Sequence, residues 1–250
     1  MCLIAFAWRA HPRYSLVLAA NRDEAHDRPS APLAAWADLP GVIGGRDLKA
    51  DGTWLGLMAA GRLAAVTNVR EPAATASLAS RGALASGFLG QQDSAALCAQ
   101  QLMAEAARYG GFNLLLCDGA ELIHASNRPS PHWQRVAPGV HGLSNASLDS
   151  PWPKTLRLKA ALAQWLTTGS DDVAPLFAAL ADTTPAPEAE LPDTGVGLSL
   201  EKMLSPPFIR GSTYGTRAST VVCLGETGGF VEERRFGPQG VALGQTRLVF

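Results

Sequence analysis

The stretch from Cys2 to Glu24 reads CLIAFAWRAHPRYSLVLAANRDE, and it decides the fold. Two apolar runs, Cys2–Trp8 and Tyr14–Ala20, flank the polar connection RAHPR. Neither run alternates between apolar and polar residues, which is typical of strands buried on both faces, so the stretch predicts a hairpin. If the two strands pair antiparallel, the end of the second strand returns beside Cys2. The polar motif NRDE (Asn21–Glu24) then lies next to that cysteine.

Cys2 is a candidate nucleophile because of its position. Initiator methionine is normally removed before a small residue, so we expect a mature chain that begins with a cysteine carrying both a thiol and a free α-amine. Such an amine titrates at about pH 7.7–8.0 and is suited to take the thiol proton. The alternative is a buried core cysteine at the head of a strand, which is what a free cysteine usually is.

Arg22 and Asp23 are the candidate partners of this cysteine. A guanidinium near the thiol favours the thiolate, and a carboxylate can hold either Arg22 or the α-ammonium through charge-assisted bonds. The alternative is a polar turn with a weak surface ion pair. The expected return of the second strand to Cys2 favours the functional interpretation.

Polar side chains also end other apolar strands. Asn68 closes a second predicted hairpin, and Asn145 closes a short strand that starts at Val140. Amide groups at strand ends are candidate donors to the oxyanion of acyl transfer, although a turn role is the commoner one. Arg217 opens a late strand and is suited to bind a carboxylate or phosphate, its alternative being an edge arginine that faces water. We assign Asn21, Glu24 and Arg70 of the same motifs to ligand binding.

The remaining pattern predicts strands, then helices, then strands, which indicates a layered α+β arrangement in one domain over residues 1–250. Residues 21–45 carry three prolines and read as a long loop. Helices are predicted at Ser80–Leu89, Ser94–Tyr109 (capped by Asp93), Pro153–Leu166 and Val173–Ala181. A Pro/Gly-rich excursion follows at about 184–197.

Composition limits the function. The net charge is −1, so no basic field exists to bind nucleic acid, and no window approaches the length of a membrane span. The four cysteines are far apart, with no CxxC pair and no histidine at metal-ligand spacing. We therefore expect a cytoplasmic protein with no metal site and no integral membrane segment; the oligomeric state is not indicated.

Seven motifs in order resemble the NRDE family, the family of the Transport and Golgi organisation proteins. They are MCLIAF, NRDE, GTWLG (52–56), TNVR (67–70), GGFNLL (110–115), LSNASLDSPWPK (143–154) and YGTRASTVV (214–222). The family resembles N-terminal-nucleophile hydrolases, which have a four-layer αββα sandwich. Its first strands are similar to those of the choloylglycine hydrolase and penicillin V acylase group.

The resemblance also implies roles for individual residues. Cys2 would be the nucleophile, Asn68 and Asn145 would lie near the oxyanion, and Arg217 would be a late arginine of the pocket. Arg22 and Asp23 would match the arginine and aspartate that flank the nucleophile. In the acylases these two residues are more separated, so the resemblance assigns neither of them a single role.

Two functions follow from this site. The first is an amidohydrolase that attacks a C–N bond of a small, lipophilic metabolite through Cys2, without a cofactor. The second, which the family resemblance favours, is a non-enzymatic carrier of haem or an acyl-CoA-like metabolite in the same pocket. For haem, Cys2 is a soft candidate ligand and His26 is the nearest histidine, although lone loop histidines are usually solvated. A scaffold that uses residues 184–197 has only composition in its favour.

Overall fold

The computed structural model describes residues 2–72 and 78–250, and these fall into two compact units. The first unit contains the described residues up to Asp27, then Arg70–Pro72 and Pro138–Phe250. The second unit contains Arg28–Val69 and the described residues up to Ala137. A single domain over residues 1–250 stays a prediction.

The described residues form strands and helices that we number in chain order. The strands are β1 (Cys2–Trp8), β2 (Leu16–Ala25), β3 (Ser30–Ala35), β4 (Val42–Asp47), β5 (Leu55–Met58), β6 (Leu63–Asn68), β7 (Phe112–Cys117), β8 (Leu122–Ser126), β9 (His132–Arg135), β10 (Gly139–Leu143), β11 (Tyr214–Gly225), β12 (Gly228–Phe236) and β13 (Ala242–Val249). The α-helices are α1 (Gly82–Leu89), α2 (Ala95–Glu105), α3 (Pro153–Thr168), α4 (Ala174–Leu180) and α5 (Leu198–Met203).

The first unit is built on an antiparallel sheet with the strand order β10-β1-β2-β11-β12-β13. Helix α3 packs on β1 and β10, and α4 packs on β2 and β11. The core between them is apolar and includes Leu3, Val17 and Val221 of the sheet with Leu158 and Phe177 of the helices. In this strand order β2 lies inside the sheet, so its polar end pairs with β1 on one side and with β11 on the other.

Helix α3 shows both ends of a regular helix in its sequence. Pro153 occupies the first turn, where its missing N–H has no intrahelical partner to lose. Gly169 ends the helix with a φ of 64°, the left-handed conformation that glycine adopts without strain. The start of α3 is thus fixed, and with it the position of the next residue, Lys154.

The second unit is built on an antiparallel sheet with the order β3-β4-β5-β6-β7-β8-β9. Helices α1 and α2 pack on the middle and later strands of that sheet. Ser94 caps α2, since its hydroxyl accepts a 3.2 Å bond from the Leu97 N–H. The predicted cap was the preceding residue, Asp93, and that detail is wrong.

The predicted long loop over residues 21–45 is also wrong. Strand β2 continues through NRDE to Ala25, and β3 and β4 follow. The loop was predicted because of its three prolines. Pro32 nevertheless lies in β3, an edge strand whose register is irregular after Ala31, and a missing N–H is tolerated at such a position. The two predicted hairpins, β1–β2 and β5–β6, are confirmed.

Over residues 2–72 and 78–250, the structure contains no helix with the length and apolar character that a membrane crossing needs.

Candidate active site

The pairing of β1 with β2 places Cys2 directly opposite Arg22. Residues that face each other across an antiparallel pair project to the same side of the sheet, so the thiol and the guanidinium share a face. Glu24 lies on that face as well, with its Oε2 3.8 Å from Arg22 Nη2. Cys2 is half-buried, whereas Arg22 is only 6 % exposed. The predicted return of NRDE to the first cysteine is confirmed in the strand register.

Burial dominates the electrostatics of the Cys2 thiol and raises its pKa above the usual 9.0. Asp23 raises the pKa further, while Arg22 and the Asp23 backbone N–H act in the opposite direction. A thiol with a raised pKa is protonated at neutral pH, and the thiolate is the nucleophile of cysteine chemistry. Nucleophilic attack by Cys2 therefore requires a base.

Asp23 is held by strand β11, which lies on the other side of β2. It pairs with Thr216, and the Thr216 hydroxyl donates a 2.7 Å bond to Asp23 Oδ1. Only 2 % of Asp23 is exposed. Burial raises the pKa of this carboxyl, and Lys154, Thr216 and Arg70 oppose the rise. Asp23 is thus a buried acid in an otherwise cationic neighbourhood.

Lys154 is a charged residue that was not predicted from the sequence. It lies in the first turn of α3, is 2 % exposed, and its Nζ has no hydrogen-bond partner among the described residues. Burial lowers its pKa to about 8, although Asp23, Cys2 and Glu201 favour the charged form. A signal existed in the sequence: a lysine beside a proline at a helix N-terminus opposes the helix dipole, so its presence there calls for another reason.

Arg70, assigned to ligand binding, lies close to the same helix start. Its guanidinium carbon lies 4.6 Å from the ring centre of Trp152, the residue that caps α3. Its Nη1 donates to Glu201 Oε2 in a buried ion pair. Glu201 was not predicted either; its other oxygen accepts bonds from the Thr194 N–H at 3.0 Å and the Thr194 hydroxyl at 2.5 Å.

The two predicted oxyanion donors lie in different units. Asn145 belongs to the first unit and is fully buried, and its backbone oxygen accepts a 2.8 Å bond from the Arg70 N–H. The adjacent Ser144 hydroxyl donates to the Cys2 carbonyl oxygen at 3.0 Å, so Asn145 follows a residue that is bonded to Cys2. Asn68 ends β6 in the second unit, and its role in an oxyanion site stays a prediction.

The amide of Asn21 bonds to neighbouring parts of the first unit. Its nitrogen donates to the carbonyl oxygens of Leu180 and Pro207 at 2.8 and 2.9 Å, and its oxygen accepts a 2.6 Å bond from the Ser219 hydroxyl. Asn21 thereby ties the end of α4 and a later loop to β2. Its assignment to ligand binding stays a prediction.

His26 and Arg217 lie where β2 meets the start of β11. The register shifts between Thr216 and Ala218, which places Arg217 in a bulge, and its Nη1 donates to the Ala25 carbonyl at 2.8 Å. Both ring nitrogens of His26 are buried, and the backbone of Gly211 lies beside the ring. Burial, with the charge of Arg217, lowers the pKa of His26, so its imidazole is neutral at pH 7.

Within residues 2–72 and 78–250, no group of three or more metal-ligating side chains comes together.

The sequence of the chain is similar to those of known proteins. The family described as Transport and Golgi organisation 2 matches residues 1–236. The Transport and Golgi organization 2 homolog of Mus musculus is 32% identical over 250 residues, covering 91% of this chain and 90% of the mouse protein. The homolog of Homo sapiens is 33% identical over 250 residues, with the same shares of the two chains.

Among solved structures, a mutant conjugated bile acid hydrolase from Clostridium perfringens is similar, with a TM-score of 0.57 over 100% of this chain and 92% of that chain. The two sequences are 9% identical, so the likeness concerns the fold alone. The predicted α+β fold of the N-terminal-nucleophile hydrolase type is thereby confirmed.

Proposed function

The chain belongs to the Transport and Golgi organisation 2 family, and we propose that it is an N-terminal-nucleophile-type amidohydrolase that cleaves a C–N bond of a small, lipophilic metabolite through Cys2. The observation that carries this proposal is the register of β1 and β2, which sets Cys2 opposite Arg22 and next to the buried Asp23. A cysteine, a cation and a carboxylate at one point of this fold form the minimum set for activating a thiol.

The proposed reaction begins with removal of Met1, which leaves the α-amine on Cys2. The neutral amine takes the thiol proton, and the sulfur attacks the amide carbonyl to form a tetrahedral oxyanion. The protonated amine then gives its proton to the leaving nitrogen as the C–N bond breaks. Water, deprotonated by the same amine, hydrolyses the thioester and restores the free thiol.

Arg22 and Asp23 have separate tasks in this proposal. The Arg22 guanidinium lowers the free energy of the thiolate, in opposition to the effect of burial on the Cys2 pKa. Asp23, fixed by the Thr216 hydroxyl, orients the α-ammonium after it has taken the proton. Asn145 donates to the oxyanion; its place next to Ser144, which bonds the Cys2 carbonyl, supports this assignment.

A panel of fluorogenic N-acyl amides with chains of different length tests the activity. The wild-type protein should release the fluorophore from at least one apolar acyl chain, and Cys2→Ala and Cys2→Ser should lose turnover. Cys117→Ser, at a buried cysteine of β7, is the matched control and should keep it. Equal turnover by wild type and Cys2→Ala would refute the proposal.

A second function, a non-enzymatic carrier of haem or an acyl-CoA-like metabolite, is favoured by one observation. Burial raises the pKa of Cys2, which keeps the thiol protonated and weakly nucleophilic. A carrier should bind haem or the acyl-CoA whether or not Met1 has been removed. Titration with haem, followed at the Soret band, or with an acyl-CoA, followed by calorimetry, measures it. Absence of saturable binding of both compounds would argue against a carrier.

A further inference from the structure

Two buried cations of the first unit meet at the start of α3. Arg70 packs its guanidinium on Trp152, the capping residue of that helix, and Lys154 lies two positions later in the first turn. Arg70 is 7 % exposed and Lys154 is 2 % exposed. The charges of the same two carboxylates, Asp23 and Glu201, act to raise the pKa of both cations against the effect of burial. The two cations therefore belong to one cluster.

Asp23 and Glu201 accept only some of the hydrogen bonds that Arg70 and Lys154 can donate. Glu201 takes Nη1 of Arg70 and fills its other oxygen with Thr194. Arg70 Nε, Arg70 Nη2 and Lys154 Nζ are buried and make no hydrogen bond with any described residue. Burying charged donors without acceptors is costly, so their retention calls for a compensating partner.

The donors left on Arg70 have a defined shape. Nε and Nη2 form one edge of the guanidinium, and that edge binds the oxygens of a carboxylate or phosphate side-on. The same edge is used elsewhere in the chain, where Nε at 2.9 Å and Nη2 at 2.7 Å of Arg28 both donate to one carboxylate oxygen, Asp47 Oδ2. The N-terminus of α3 adds a partial positive charge beside Lys154.

We propose that Arg70 and Lys154 form a receptor for the anionic group, carboxylate or phosphate, of a small-molecule ligand. The Nε and Nη2 edge of Arg70 holds two oxygens of the anion, and Lys154 Nζ binds a third position or shares one of them. Glu201 and Trp152 hold the guanidinium in place from its other edge and its face. Because the cluster includes Asp23, the receptor defines one end of the ligand of the proposed hydrolase. The inference rests on the proposed function for this role, but binding of the anion does not require catalysis.

Thermal unfolding of the full chain in sodium phosphate, sodium acetate or sodium chloride at equal ionic strength and pH 7 tests the receptor. Phosphate or acetate should raise the unfolding temperature of the wild type in a saturable manner relative to chloride. Lys154→Met removes one cation without a change of size, and Arg70→Lys keeps the charge but loses the guanidinium edge. Both variants should weaken the apparent affinity at least tenfold. Lys202→Met, at an exposed lysine next to Glu201, should bind as the wild type does.

The two arms separate the anions: saturation by phosphate alone identifies a phosphorylated ligand, and saturation by acetate alone identifies a carboxylate. No saturable shift of the wild type by either anion, or equal shifts in all four proteins, would overturn the receptor. Circular dichroism of the two receptor variants verifies that they fold. Cys2→Ala should keep the anion-dependent shift even if it loses turnover, so failure of the hydrolase proposal and failure of the receptor give different results.

Discussion

Thr216 donates its hydroxyl hydrogen to Asp23 Oδ1 at 2.7 Å, and the same hydroxyl oxygen accepts a 2.9 Å bond from the Ile209 N–H. One side chain of β11 thus fixes both the buried carboxyl of the NRDE motif and the loop before β11. The bond joins residues 193 positions apart in the sequence.

Replacement of Thr216 by valine should destabilise the protein, because the shape is kept while the donor to Asp23 and the acceptor for Ile209 are removed. A hydrogen bond to a charged or buried group contributes about 1.5–3 kcal/mol, so we expect a loss of that order in the free energy of unfolding. Urea unfolding followed by circular dichroism measures it. Thr220→Val, at a buried threonine of the same strand, is the control and should cost less. Equal losses in the two variants would show that the Asp23 bond contributes nothing specific.

Replacement of Asn21 by alanine should be among the costliest changes in β2. It removes both donors to Leu180 and Pro207 and the acceptor for Ser219, all of them buried. Each unsatisfied buried group costs about 1–3 kcal/mol, so a loss on the order of 3 kcal/mol is expected. Urea unfolding of Asn21→Ala and of the milder Ser219→Ala gives the comparison. An Asn21→Ala protein of unchanged stability but weakened ligand binding would instead favour the ligand-binding assignment.

Lys154 gives the stability of the protein a specific dependence on pH. Its pKa falls from the usual 10.5 to about 8 on folding, because burial disfavours the ammonium. Between these two values the unfolded chain binds a proton that the folded chain does not, so this residue makes the free energy of unfolding rise with pH across that window. The shift corresponds to about 3 kcal/mol.

Lys154→Met removes this contribution, and with it the effect of the Lys154 charge on the pKa of Asp23. At pH 7 the variant should be the more stable protein, and its advantage should shrink as the pH rises from about 8 towards 10. Denaturant unfolding at a series of pH values measures the difference. A difference that stays constant with pH would mean that Lys154 keeps an ordinary pKa in the folded protein.

Arg22 should control the reactivity of Cys2. The guanidinium lowers the Cys2 pKa against the effect of burial, so Arg22→Met should raise that pKa and slow alkylation by iodoacetamide at pH 8. Peptide mass spectrometry separates labelling of Cys2 from that of Cys98, Cys117 and Cys223. Arg135→Met, at an exposed arginine, is the control and should react as the wild type does. Faster alkylation in Arg22→Met would contradict the proposed electrostatic role.

The sequence was sufficient to predict the hairpin that brings NRDE back to Cys2, because few structures other than a hairpin fit two unbroken apolar runs joined by a short polar connection. It was not sufficient to place NRDE within a strand. Asn21 Oδ1 accepts a hydrogen bond from Ser219 and Asp23 Oδ1 accepts one from Thr216, and partners so distant in sequence leave no local signal. The prolines of residues 21–45 hid an edge strand for a similar reason, since only its position in the sheet explains why proline is tolerated.

The candidate site was predicted in part for the same physical reason. Cys2, Arg22 and Asp23 follow from one local pairing. Lys154 lies on a helix that the sequence predicts, whereas Glu201 lies on α5, for which no helix was predicted. The burial of Glu201 includes its ion pair with Arg70, a residue distant in sequence. Long-range packing therefore decides which charged residues of these helices become part of the site.

The most direct test of Cys2 as an N-terminal nucleophile is the mass of the N-terminal peptide of the purified protein, with and without a thiol-reactive acylating probe. If Cys2 is the N-terminal nucleophile, the peptide begins at Cys2 and gains one acyl group on that residue. A peptide that retains Met1 and an unmodified Cys2 would contradict this role.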